Sequence, residues 1–125
     1  MKEKDIKIGD YFTVNGEVVK VQETEFNLCG IWDSQEIYHV VGYEMLEPIP
    51  LTEEILEKNG WEYSEPFNDW TYSICENVKE YSIYKGGRGF IIKQYQSITD
   101  LHTIAYVHEL QHILWALGID DNLKL

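Results

Sequence analysis

The sequence is poor in cysteine and has no long apolar run. Its two cysteines, Cys29 and Cys75, stand far apart without the spacing of a metal site. We expect buried free thiols, because a disulfide would need an oxidising compartment that nothing else in the sequence indicates. No apolar stretch approaches the length of a signal-peptide core or a membrane span. The sequence therefore predicts a cytoplasmic protein without a membrane partner.

Basic residues are also scarce. The chain has 10 Lys and Arg against 22 Asp and Glu, which gives a formal net charge of -12. A surface this acidic repels phosphate backbones, so nucleic-acid binding is disfavoured. An acidic inhibitor that mimics DNA would carry the same charge, and this function remains the second alternative to the one favoured below.

The first half of the chain has the pattern of a β-sheet. Residues 11–14 and 17–21 flank Asn15-Gly16, a dipeptide that suits the two-residue turn of a β-hairpin. Further strands are predicted over residues 26–32 and 37–45, and the second of these contains His39 as a hydrogen-bonded structural histidine. The hairpin register places four side chains together on the face expected to be core: Phe12, Val14, Val19 and Val21.

The second half adds helices to a further set of strands. Two prolines in residues 47–50 end the first sheet, and Thr52 can cap a short helix that Gly60 ends. Strands are predicted over 70–75, 81–85, 90–95 and 98–104, with a hairpin turn at 86–89.

The predicted fold is one α+β domain over residues 1–125, with 44% hydrophobic residues available for its core. It has an antiparallel N-terminal sheet or partial barrel, a short helix, and a second antiparallel sheet with a closing C-terminal helix. We divide it into a β-rich part, residues 1–50, and an α+β part, residues 51–125.

Three segments of the chain carry a resemblance. They are Ile-Lys-Ile-Gly-Asp-Tyr at 6–11, Glu-Pro-Ile-Pro-Leu-Thr-Glu-Glu-Ile-Leu at 47–56, and Tyr-Val-His-Glu-Leu-Gln at 106–111. In this order they resemble a group of small uncharacterised proteins from prophages and mobile elements of Bacteroides-type bacteria. The central Pro-Ile-Pro-Leu-Thr-Glu-Glu block is the most specific part. The resemblance implies no activity, cofactor or catalytic residue. In that group the closing helix has the frame Tyr-Val-His-x-Leu-Gln, with amides often at the positions of Glu109 and His112.

The closing helix also contains a His-Glu-x-x-His motif, His108 to His112. Two histidines four residues apart on a helix can bind one zinc ion, and the intervening Glu109 can act as a general base toward metal-bound water. A catalytic zinc usually needs a third protein ligand. The positions that would extend the motif hold Trp115 and Gly118, and only a short acidic tail follows. The favoured prediction is therefore no catalytic residue, metal or cofactor. A zinc-dependent hydrolase with His108 and His112 as ligands and Glu109 as base is the first alternative.

The helical periodicity suggests a different use for this face. The apolar stripe of the helix contains Leu110 and Leu114, whereas His108, His112 and Trp115 project from nearly the opposite side. We predict a contact surface there, against the N-terminal sheet, a partner protein or a second copy of the chain. The favoured function is a non-enzymatic accessory or interaction protein of a prophage or mobile element.

Overall fold

A computed structural model describes residues 6–65, 68–75, 78–86, 89–95, 100–119 and 122–125. The elements in chain order are β1 (Tyr11–Val14), β2 (Glu17–Glu25), β3 (Leu28–Trp32), β4 (Tyr38–Gly42), a 3-10 helix (Tyr43–Met45), β5 (Glu47–Pro48), α1 (Glu53–Lys58), β6 (Glu62–Ser64), β7 (Asp69–Cys75), β8 (Val78–Gly86), β9 (Gly89–Gln94), β10 (Asp100–Ile104) and α2 (Val107–Ala116). The strands form two separate five-stranded antiparallel sheets. The predicted α+β class with a closing helix is confirmed.

The chain divides into two compact units. Unit 1 comprises Met1–Pro50 and Tyr106–Asn122, and unit 2 comprises Leu51–Ala105 and Leu123–Leu125. The closing helix α2 therefore groups with the first sheet, whereas the sequence-based division placed it in the part 51–125. The reason is that hydrogen bonds join the first segment of unit 1 to its last segment, and these segments are far apart in the sequence.

Unit 1 contains a sheet with strand order β4-β3-β2-β1-β5. The predicted hairpin is confirmed: Phe12 pairs with Val19, and the turn residues Asn15 and Gly16 have φ angles of 51° and 82°. Strand β3 begins later than predicted because Phe26 takes a left-handed turn conformation at φ 49°. Eight side chains form the buried cluster on the inner face: Ile6, Phe12, Val19, Val21, Cys29, Ile31, Tyr43 and Leu46.

The predicted free thiol of Cys29 is confirmed. It is buried and forms no disulfide, and burial raises its pKa because the thiolate would lose solvation. The side chain of Cys75 lies outside the part of the chain that the structure describes.

Unit 2 is a meander with strand order β10-β9-β8-β7-β6, in which each strand pairs with its neighbour in the chain. Helix α1 begins after Thr52, whose hydroxyl accepts the Ile55 N–H at 3.3 Å. The helix ends at Lys58, and Gly60, which the sequence predicted to stop it, follows with a φ of 88°. The turn predicted at 86–89 is flanked by the pair Gly86 and Gly89, while residues 87 and 88 lie outside the described residues.

Candidate functional site on the closing helix and the first sheet

Gln111 fastens helix α2 to the start of strand β1. Its side chain is fully buried. Its Nε2 donates to the Gly9 carbonyl at 2.9 Å, and its Oε1 accepts the Tyr11 N–H at 2.9 Å. The amide group thus pairs with this segment as a neighbouring strand would, since it supplies one donor and one acceptor. The N-terminus of the helix is also tied to the unit, where the Val107 N–H donates to the Ile49 carbonyl at 2.8 Å.

Asp10 and His112 form a pair beside this contact. The Asp10 residue is only 2% exposed, and its Oδ2 lies 2.6 Å from His112 Nε2. The same oxygen accepts the Lys7 N–H at 2.7 Å. A buried carboxylate is costly without such partners. His112, whose side chain is 28% exposed, therefore stabilises Asp10 at the boundary between the interior and solvent.

His108 is buried among aromatic rings. Its ring centroid lies 4.8 Å from that of Phe12, 6.0 Å from that of Tyr106 and 5.7 Å from that of His112. These separations fall in the range where aromatic pairs pack favourably. His108 is therefore part of the packing between α2 and β1.

Glu109 lies in the first turn of α2, three residues after the N-cap position Tyr106. Its Oε1 accepts the Tyr106 N–H at 3.0 Å. A carboxylate in this position supplies one half of a capping box and is stabilised by the positive end of the helix dipole. The residue that the zinc hypothesis would use as a general base thus stabilises the start of the helix.

The His-Glu-x-x-His residues therefore all have structural contacts within unit 1. The Nε2 atom of His112 is engaged by Asp10. Among the described residues, no group of three or more His, Cys, Asp or Glu side chains is placed to hold a metal ion. In this arrangement, packing and capping account for the positions of His108, Glu109 and His112.

Trp115 is the exposed member of the predicted contact surface. It is 63% exposed, and the ammonium group of Lys7 lies 3.8 Å from its ring centroid. His108, by contrast, is buried against Phe12 of the first sheet, and His112 bonds to Asp10. This side of α2 therefore contacts the N-terminal sheet, the first of the three predicted contacts, and only Trp115 remains exposed. The helical periodicity located the apolar stripe, but it could not show that the side bearing His108 and Gln111 is also buried.

A second His–Asp pair stands at the start of strand β4. His39 Nε2 lies 2.9 Å from Asp33 Oδ2, which confirms His39 as a hydrogen-bonded histidine. Asp33 Oδ1 accepts the N–H groups of Gln35 and Ile37, both at 2.9 Å. The bond from Ile37, followed by the bond from His39, holds the pKa of Asp33 below its ordinary value. This carboxylate fixes the turn that leads into β4.

Sequence reasoning missed Asp10 and Gln111. The available signal was that both residues belong to segments that carry the resemblance. Residues 6–11, 47–50 and 106–111 of those segments contact one another in unit 1.

The chain matches no protein-family model, no curated protein and no solved structure. Among the described residues, no helix has both the length and the apolar character needed to cross a membrane. Function therefore has to be inferred from the surfaces of each unit.

Proposed function

We propose that this chain is a non-enzymatic interaction protein that binds a basic, extended segment of a partner protein along the edge strand β4. The observation that carries the proposal is the unprotected edge of β4, a regular strand flanked by exposed apolar side chains. The origin in a prophage or mobile element, which the sequence resemblance implies, belongs to the same proposal.

Natural sheets usually protect their edges with short strands, prolines, bulges or charges. Strand β5 has two residues and ends in Pro48, and β6 has three residues. The ladder of β10 is irregular between Asp100 and His102. Strand β4 has five residues in regular register, with no proline and no lysine. Of the four edges, β4 is therefore the one suited to accept another strand.

The backbone of β4 has the polarity that such pairing needs. The Asp33 N–H donates to the Ile37 carbonyl and the Tyr43 N–H donates to the Asn27 carbonyl, both at 3.1 Å. Because bonded and non-bonded pairs alternate along an antiparallel ladder, the N–H and C=O groups of Tyr38 and Val40 point away from β3. They are free to form a new ladder with a peptide.

Apolar side chains flank this edge on the outer face of the sheet. Tyr38 is 47% exposed and Val40 is 59% exposed. Tyr38 pairs with Trp32 across the strands, and the outward side of β3 also carries Leu28. We call these four exposed residues the β4 patch: Leu28, Trp32, Tyr38 and Val40. A patch of this composition is typical of a contact surface rather than of a solvated strand.

The charges around the β4 patch select the partner. Residues 21–57 contain no Lys or Arg. Glu23 and Glu25 lie opposite Gly30 and Leu28 on β3, and Glu44 lies in the 3-10 helix that follows β4. A second copy would bring the same carboxylates to the interface, so pairing of β4 with β4 is repelled. A basic segment is attracted instead.

A synthetic peptide that alternates Lys or Arg with Val tests the proposal. We expect it to bind the full chain, and we expect its charge-reversed counterpart with Glu in place of the basic residues not to bind. Val40→Lys should weaken binding at least about tenfold, because it removes apolar contact and adds a like charge. Val40→Pro should weaken it about threefold to tenfold, because it removes one outward N–H. Isothermal titration calorimetry measures both.

Val18→Lys is the matched control. Val18 is also an exposed valine of the first sheet, but it lies in β2 and pairs with Thr13. The Val18→Lys substitution should leave the affinity for the peptide unchanged. Equal binding of the basic and acidic peptides, or equal loss in Val40→Lys and Val18→Lys, would contradict the assignment to β4.

A further inference from the structure

The inner face of the first sheet contains an open groove of about 340 Å³. Side chains alternate between the two faces of a strand, so the strand pairing shows which lining residues share the inner face. We call these residues the inner groove: Val14, Glu17, Val19, Ile31, Asp33, His39 and Val41.

The floor of the inner groove is aliphatic. Val19 and Ile31 are only 3% and 2% exposed and belong to the core cluster, and Val14 and Val41 pack against that cluster while remaining partly exposed. Met45, which is 44% exposed, lines the same space. Such a lining suits an apolar occupant, and the flexible methionine side chain can adapt to its shape.

The carboxylates of the inner groove already have donors within unit 1. Asp33 is bonded by His39 and by two backbone N–H groups. Glu17 Oε1 accepts the Ser34 N–H at 3.3 Å and the Ser34 hydroxyl at 2.6 Å. Because these polar groups are satisfied, the aliphatic floor determines which occupant fits.

The groove extends to the edge strand β4, whose inner-facing residues His39 and Val41 line it. A segment that pairs with β4 continues the sheet, and every second side chain of that segment points to the inner face. The Cβ atom of such a side chain lies about 5 Å from that of its neighbour on β4. It therefore enters the inner groove beside Val41. In strand addition, pockets for alternate side chains determine which sequences bind.

We propose that the inner groove binds aliphatic side chains of the basic segment that pairs with β4, an inference that rests on the function proposed above. The two faces of the added strand then differ. Aliphatic residues point inward against Val41, whereas Lys or Arg residues point outward and lay their stems over Tyr38 and Val40. The outer face there also carries Glu23, whose carboxylate accepts the Tyr38 hydroxyl at 3.0 Å. The partner segment is thus one in which aliphatic and basic residues alternate.

A double-mutant cycle between peptide and protein tests this orientation. One peptide alternates Lys with Val, and the other has Ser in place of each Val. Val41→Thr replaces a methyl group by a hydroxyl on the inner face, and Val40→Thr is the matched control on the outer face of the same strand. Val41→Thr should weaken binding of the Lys/Val peptide about threefold to tenfold and binding of the Lys/Ser peptide less than about twofold. Val40→Thr should weaken both by the same factor in isothermal titration calorimetry.

Methyl NMR of the unsubstituted chain gives a readout that needs no variant. The methyl resonances of Ile31 should shift when the Lys/Val peptide is added and stay in place with the Lys/Ser peptide. Ile31 resonances that respond equally to both peptides would overturn the assignment to the inner groove. Peptide affinity that falls as the protein is concentrated would place a second copy in the groove and would overturn it too.

The cycle separates this inference from the edge proposal. If the Lys/Val peptide protects the N–H groups of Tyr38 and Val40 from exchange while its Val residues couple to Val40 and not to Val41, the inner groove is excluded and the edge assignment stands. If neither peptide binds the full chain, both proposals are wrong.

Discussion

Units 1 and 2 are assembled from contacts of different range. In unit 2 each strand pairs with its neighbour in the chain. In unit 1 the side chain of Gln111 bonds to residues 9 and 11, at sequence separations of 102 and 100. Local contacts close short loops, whereas distant ones have to offset a larger loss of chain entropy. Unit 1 should therefore depend more strongly on a few buried polar contacts.

Their surfaces differ as well. Unit 1 presents aliphatic and aromatic side chains along a free strand edge, which suits a protein segment. Unit 2 presents three aromatic rings together with carboxylate, amide and lysine side chains around an open cavity. Neither surface contains His108 or His112.

Substitution of Gln111 should have the largest effect on the stability of unit 1. Gln111→Ala should lower the free energy of unfolding by about 2–4 kcal/mol, because it removes the hydrogen bonds to the Gly9 carbonyl and the Tyr11 N–H and opens a cavity at a fully buried position. Urea denaturation measures the loss. Gln94→Ala, at an exposed position of β9, should change stability by no more than about 0.5 kcal/mol. Equal effects of the two substitutions would show that Gln111 does not fasten the helix.

Substitution of His112 distinguishes the structural role from the zinc hypothesis. His112→Ala should lower stability by about 1–3 kcal/mol, because Asp10 loses a partner while remaining buried. His112→Gln should recover part of this, since an amide can also donate to the carboxylate. Metal analysis of untagged protein accompanies the denaturation series. Stoichiometric zinc that disappears in both His108→Ala and His112→Ala would instead support the hydrolase alternative.

The smallest expected effect concerns the turn before β4. Hydrogen bonds from Ile37 and His39 hold the pKa of Asp33 below its ordinary value of 3.8. Because the folded-state pKa is lowered, the stabilisation is present above the ordinary pKa and is lost as the pH falls through the folded-state pKa. NMR titration of the carboxyl group should show this acidic shift. In His39→Gln the pKa of Asp33 should rise only partway toward its ordinary value, because the hydrogen bond from Ile37 remains. A pKa at or above the ordinary value in the unsubstituted chain would contradict the geometry.

The local features of the fold could be predicted from the sequence. Asn15-Gly16 fixed the first hairpin, and Thr52 with Gly60 bounded helix α1, because turns and caps depend on adjacent residues. Gln111 could not be assigned in the same way. Its partners are backbone groups of Gly9 and Tyr11, at sequence separations of 102 and 100, and no local side-chain pattern identifies so distant a backbone partner.

The candidate sites were harder to predict for a related reason. The His-Glu-x-x-His motif is a local pattern, but its residues His108, Glu109 and His112 pack and cap within unit 1. The β4 patch depends on which strand lies at the edge, and the cavity of unit 2 depends on which side chains of α1 and of strands β6 to β9 lie together. Strand order is a property of the whole sheet, so neither site has a local sequence signature.

Hydrogen exchange at single residues tests the central proposal most directly. The N–H groups of Tyr38 and Val40 point away from β3, so they should exchange quickly in the free protein and slowly when the basic Lys/Val peptide is bound. The N–H of His39, which already bonds within the sheet, should change little. Protection that appears at Tyr38 and Val40 with the basic peptide, and not with its acidic counterpart, is the result predicted here. Exchange at both residues that is unchanged by saturating basic peptide would contradict the assignment of β4 as the binding edge.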